Sequence, residues 1–398
     1  MMGTTILYSY LIFITIAIFY ISKKGTFYIF SPFIFIYISL AVNDVVPLLQ
    51  YDDLAPDNLW YVTTFTAIIN IVFFFIYRRN LITKVADVNV QSSSGIGHNR
   101  KKIAILFLGL IVMSGILTGV TKSMLIGASV EDMRRTNEIG IGIITQIPGQ
   151  GLPLLFLAYL FQYQKNRVIK NLSIALIIGF IVFLATAARG GILTYITIFF
   201  VWYNVRKRGF KWYEYFFIFF ILQQMVAAFL FAIRNGEFIN IVTYEQFFAH
   251  QYMIFGANTI RLMNYINDSN ILMGQSYYYP LVQIIPRFIW PDKPVAIDYV
   301  YKEMVGMNFE GGGIYTTVPN ELYLNFGTFY FIFYIAWVVI IHSLYKKLLQ
   351  SQENIYDRMI ILSILALASP PGSIISSLQL IFLFLLICYC INKRWKVF

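Results

Sequence analysis

Eleven apolar runs, most of them close to the length of a bilayer-crossing helix, divide this chain and constrain its fold more than any other feature. They lie near 5–21, 27–49, 59–77, 103–121, 147–163, 171–188, 190–204, 214–233, 320–344, 358–370 and 373–391. Lipid cannot hydrogen-bond an open backbone, so such runs close their bonds internally as helices; aliphatic runs this long are not barrel strands. Each crossing takes about 20 residues. Composition agrees: the 398 residues are 59% hydrophobic and only 12% charged, where a soluble domain carries roughly 25% charged residues. A soluble globular enzyme, a disordered tail and a disulfide-stapled secreted module are excluded. The expected fold class is all-α and polytopic, with about 11 transmembrane helices in a single transmembrane domain over residues 1–398.

The sidedness follows from the charges. The first run lacks a basic leader and a small-residue cleavage site and is followed by Lys23-Lys24, so it reads as an uncleaved span with its N-terminus outside. Alternating from there leaves the C-terminal stretch Asn392–Lys396 inside. That arrangement puts 21 of the 30 basic residues inside and 15 of the 19 acids outside. The net charge of +11 therefore anchors cytoplasmic loops rather than nucleic acid. Residues 78–102 form a cytoplasmic loop, 122–146 a smaller periplasmic loop, and 234–319 a large folded periplasmic loop between spans eight and nine. Cys388 and Cys390 point to different sides of a helix, His98, His250 and His342 are scattered, and no metal site or cofactor is implied.

Nine basic residues remain outside and ask for a reason. Arg189 lies between two spans beside Gly190 and Gly191, at or just inside the membrane boundary; a charge at a helix centre costs about 2.5–3.5 kcal/mol. It reads either as a snorkelling arginine or as an anion site, and the glycine pair favours the second. Arg287 and Lys293 stand in the stretch Ile285-Pro-Arg-Phe-Ile-Trp-Pro-Asp-Lys-Pro294, a stiff bracket whose cations suit phosphate oxygens. Arg234 and Arg261 are further candidates for the same anion. Thr243–Asn267 has helical period, with apolar residues largely on one side, and reads as an amphipathic helix at the outer interface or across the bundle mouth. His250 packs, caps or acts as a base. Tyr277, Tyr278, Tyr279 and Trp290 read mainly as an interfacial aromatic belt, with Tyr278 and Trp290 the candidates for stacking on a sugar. Glu321, in the first turn of span nine, either complements the helix dipole or serves as general base.

Three elements taken together, Arg189-Gly190-Gly191, the proline bracket over 285–294 and Pro319-Asn-Glu-Leu-Tyr-Leu-Asn-Phe-Gly327, resemble Wzy-type O-antigen polymerases. The resemblance implies a GT-C type bundle in the bacterial inner membrane and a glycosyltransferase that needs no cofactor. Such an enzyme polymerises undecaprenyl-pyrophosphate-linked oligosaccharide repeats on the periplasmic side, in contact with membrane lipid and a chain-length regulator protein. On that reading Arg189, Arg287 and Lys293 hold the pyrophosphate and Glu321 or His250 activates the acceptor. An O-antigen ligase and a lipid-linked oligosaccharide flippase are the alternatives.

Overall fold

The computed structural model describes residues 2–24, 31–82, 153, 156, 157, 160, 168–186, 195, 196, 198–200, 202, 203, 211–215, 254–266, 270–278, 289, 290, 292, 297–306 and 316–350. Within them the chain is all helix and turn. The elements that build the bundle are α1 (Met2–Lys24), α2 (Phe33–Gln50), α3 (Asp57–Ile82), α4 (Val168–Thr186), α5 (Ile254–Tyr265), α6 (Ile297–Met304), α7 (Val318–Phe326) and α8 (Tyr330–Gln350).

The helices are apolar on every side. Leu7, Tyr10, Ile14, Ala17 and Ile21 of α1 are buried at helical spacing, while Tyr8, Ile12, Ile16 and Phe19 form an equally apolar stripe on the outside. In α3 and α8 the polar residues Thr63, Thr66, Asn70 and His342 are the ones buried, and Val72, Phe75, Ile76, Ile332 and Ile340 are exposed. Greasy exterior and polar seam are the reverse of a water-soluble bundle, and they match helices whose solvent is lipid. Four helices are long and apolar enough to cross a membrane among the described residues: α1, α2, α3, and α7 with α8 taken as one span. The protein is a multi-pass membrane protein.

Ring and hydrogen-bond partners fix how the helices run. Gly3 of α1 meets Trp60 of α3, Tyr10 meets Asn70, and Phe13 meets Phe74. Pairings that climb together make α1 and α3 parallel. The same holds for α3 and α8, where Val62 receives a bond from Tyr330, Asn70 from Tyr334, and Tyr77 stacks on His342. Helix α2 runs the other way: its Tyr37 reaches His342 and its Asp44 reaches Thr317. One end of the bundle therefore collects Lys23, Lys24, Arg78, Arg79, Lys346 and Lys347. The opposite end, called the mouth below, holds the start of α3, the end of α2 and α7.

Helix α5 packs at that mouth. It buries Ile260, Leu262 and Met263 and leaves Arg261 exposed. Asn58 at the start of α3 donates through Nδ2 to the carbonyls of Met263 (2.8 Å) and Ile266 (3.2 Å), tying the end of α5 to the bundle. Only part of the helical period read over Thr243–Asn267 falls in the described residues, and that part is helix.

The expectation of about eleven spans in a GT-C type bundle is corrected by this structure. Among the described residues only four helices have the length and apolarity of a span, and α4 contributes a shorter apolar stretch, Val168–Gly179. A run measures composition, whereas a crossing needs about 20 residues of continuous apolar helix; the runs near 103–121, 358–370 and 373–391 lie outside the described residues. The run near 320–344 illustrates the point: its first third is the short buried helix α7, separated from α8 by a turn at Gly327–Phe329. The assignment to O-antigen polymerisation, and to the ligase and lipid-linked flippase variants that rest on the same scaffold, falls with the eleven-span architecture.

Candidate functional site

Helix α7 is the centre of the site. Every residue from Val318 to Asn325 is buried, unusual for a helix of nine residues at the mouth of a bundle. Pro319 occupies its first turn, where a missing N–H costs nothing. At its far end Gly327 adopts φ +54° and ψ −135°, a conformation that side-chain-bearing residues avoid. The chain breaks there before resuming as α8.

Asp44 lies on one side of α7. Helix α2 reaches it through two π-helical stretches, Phe33–Ile38 and Ala41–Val45, whose wide turns show in the bonds from Ser39 N to Ile34 O and Val46 N to Ala41 O. Pro47 gives a physical reason for the second: it has no N–H for the carbonyl of Asn43, and its ring crowds that carbonyl in a regular helix. Asp44 is 4% exposed. Its Oδ1 accepts from the Thr317 hydroxyl (2.9 Å) and from Asn320 Nδ2 (2.6 Å), and Asn320 Nδ2 also donates to Thr317 Oγ1 (2.8 Å). These two bonds orient the Asn320 amide, because only its nitrogen can serve both partners. Asp44 Oδ2 and Asn320 Oδ1 are buried and have no hydrogen-bond partner. The carboxylate lines a narrow crevice walled by Ser39, Leu40, Pro319, Tyr334 and Trp337.

Glu321 lies further round α7 and is fully buried. The turn at Leu272–Gln275 is clipped across this part of the helix. Leu272 N donates to Leu324 O (2.9 Å), Ser276 Oγ to Asn325 Oδ1 (2.7 Å), and Asn325 Nδ2 back to Glu321 O (2.8 Å). Tyr277, just after the turn, and Tyr301 of α6 are close enough to feel the Glu321 charge. Burial pushes both phenols above the ordinary range near 10, and the carboxylate adds to the rise. The Tyr277 hydroxyl is buried with no hydrogen-bond partner, and the Tyr301 hydroxyl lies beside Ser276.

A third polar group, at the basic end, is fully satisfied. His342 Nδ1 bonds Val338 O (2.8 Å), so Nε2 accepts from the Tyr37 hydroxyl (3.1 Å), and Tyr77 stacks on the ring at 4.3 Å. Asn70 joins four helices: Nδ2 donates to Tyr10 Oη (3.2 Å) and Ile36 O (3.4 Å), and Oδ1 accepts from Tyr334 (2.8 Å). These bonds hold the bundle together.

Of the residues singled out from sequence, Glu321 is in the buried centre. Arg261 is exposed on α5, Tyr278 is 43% exposed beside the partly buried Tyr277, and Trp290 is 39% exposed. His250, Arg189, Arg234, Arg287 and Lys293 lie outside the described residues. Among the described residues the structure brings together acid, amide and phenol. Asp44, Thr317, Asn320, Tyr277 and Tyr301 were not singled out for this role. For Asp44 a signal existed: it is the one charge inside the apolar run 27–49, and an intramembrane acid is a functional candidate by default. Among the described residues no group of three or more His, Cys, Asp or Glu side chains is placed to hold a metal ion. Comparison with protein-family models, curated proteins and solved structures finds no match to this chain.

Proposed function

We propose that the chain is an ion-driven transport protein of the bacterial cytoplasmic membrane, with the mouth of the bundle facing outward. One observation carries the reading: a helix buried on every side and broken from the following span at Gly327 carries the buried carboxylate Glu321 and packs Asn320 against the buried carboxylate of Asp44. Charge at membrane depth is costly and is kept where an ion or substrate passes. Interrupted helices recur in transporters, because they expose backbone and polar side chains within the bilayer. The orientation is supported by Lys23-Lys24, Arg78-Arg79 and Lys346-Lys347, which share one end and belong on the cytoplasmic side. The exposed apolar stripes of α1, α3 and α8 give the membrane lipid its contact surface.

The test is electrical. Purified chain in proteoliposomes is placed on a solid-supported membrane and given sudden steps of Na⁺ or of pH. Transient currents that scale with the amount of protein and vanish in empty liposomes support transport. Liposomes holding folded protein but giving no current for any step refute it.

A further inference from the structure

We propose that Asp44 and Asn320 form a binding site for one Na⁺ ion, which rests on and deepens the transport reading by naming its coupling ion. Two acceptor oxygens, Asp44 Oδ2 and Asn320 Oδ1, are buried without a partner on residues 4% and 1% exposed. They flank the 2.6 Å bond between the same two side chains, so one guest can serve both. Two acceptors cannot satisfy each other; what is missing is positive charge or a donor. Two guests can bridge them: a proton on Oδ2 donated to Asn320 Oδ1, or a dehydrated metal ion bound to both oxygens; the metal ion is the one proposed, and the pH series separates the two.

Charge selects the valence. One carboxylate balances one positive charge, and a divalent ion leaves a net charge in a low-dielectric interior. No lysine or arginine lines the crevice among the described residues, and the bonds to Oδ1 come from a hydroxyl and an amide, both neutral. The titratable groups facing the site from other helices are phenols, Tyr10 of α1 and Tyr334 of α8. The donor set is all oxygen, which suits a hard cation. Ser39 on the crevice wall adds a hydroxyl oxygen, and Pro47 leaves the carbonyl of Asn43 without its regular helical donor.

The experiment measures binding directly in the full chain held in lipid nanodiscs. Radioactive ²²Na⁺ is added at constant ionic strength with choline as the replacement ion, and K⁺ and pH series run alongside. The expected result is one saturable Na⁺ per chain, outcompeted by unlabelled Na⁺ and not by choline. Asp44→Asn should abolish it and Asn320→Ala should weaken it at least tenfold, with helix content unchanged by circular dichroism. Asn320→Ala keeps the carboxylate and so remains informative if Asp44→Asn does not fold. Absence of Na⁺ binding in folded wild-type chain, binding unaffected in both variants, or a site that responds to pH and not to Na⁺ overturns the assignment. Failure of this site and failure of the transport reading separate cleanly. Currents without Na⁺ binding remove the site and leave transport, whereas Na⁺ binding without currents removes transport and leaves the site.

Discussion

Replacing Gly327 by alanine tests whether the break between α7 and α8 is imposed by backbone conformation or by packing. At φ +54° and ψ −135° a Cβ is strained whatever surrounds it, at a cost of about 1–3 kcal/mol. A second term is steric: the added Cβ would lie 2.6 Å from Ile271 Cδ1. That atom is the far end of a flexible chain and can swing aside, so its share is smaller. Gly327→Ala should lower stability by about 2 kcal/mol in total, read as the shift in a reversible denaturant titration of the chain in bicelles. Ile271→Ala in the same background relieves the steric share only. A double-mutant cycle should therefore recover a minor part of the loss, leaving the remainder to the backbone. If Gly327→Ala is neutral, or if Ile271→Ala cancels the whole effect, the break is not enforced by the left-handed backbone and the argument fails.

Asn70→Leu removes three side-chain bonds between helices. At about 0.6 kcal/mol for each such bond in a membrane it should cost roughly 2 kcal/mol in the same titration, and Tyr334→Phe, which removes one, proportionately less. His342→Phe should destabilise by about 1–3 kcal/mol, because the Tyr37 hydroxyl loses its acceptor; Tyr37→Phe in that background should restore part of it. The buried phenols give a signed pH dependence. Because their folded-state values lie above the ordinary one, the unfolded chain loses their protons first. Their contribution is intact below about pH 10 and declines by about 1.4 kcal/mol per pH unit per phenol above it. Tyr277→Phe with Tyr301→Phe should flatten the alkaline limb of a stability–pH curve.

Much of the lipid-facing architecture is readable from one dimension, because a helix apolar on all sides has no other home and lysine and arginine pairs mark one shared end of the bundle. Glu321 drew notice as the acid opening a span. The architecture of the site resisted for three physical reasons. Asp44 looks like one more outward acid when charges are tallied by side of the membrane, since a tally records sidedness and not burial. The partners of Asp44 and Gly327, Thr317 and Ile271, stand hundreds and tens of positions away in the chain. Tyr277 and Tyr278 are identical rings in the sequence, and it is their place after the turn at Met273 (φ 48°) and Gly274 (φ 82°) that leaves the first partly buried and the second exposed.

The shared direction of α1, α3 and α8, opposed by α2, has an electrical consequence. Peptide dipoles sum to about half a positive charge at each helix start and half a negative charge at each end. Three starts and one finish gather at the mouth, an excess near one positive charge that no side chain supplies. This fixed field favours the anionic form of Asp44 while weakening its hold on any visiting ion, a balance suited to a guest that must depart as readily as it arrives.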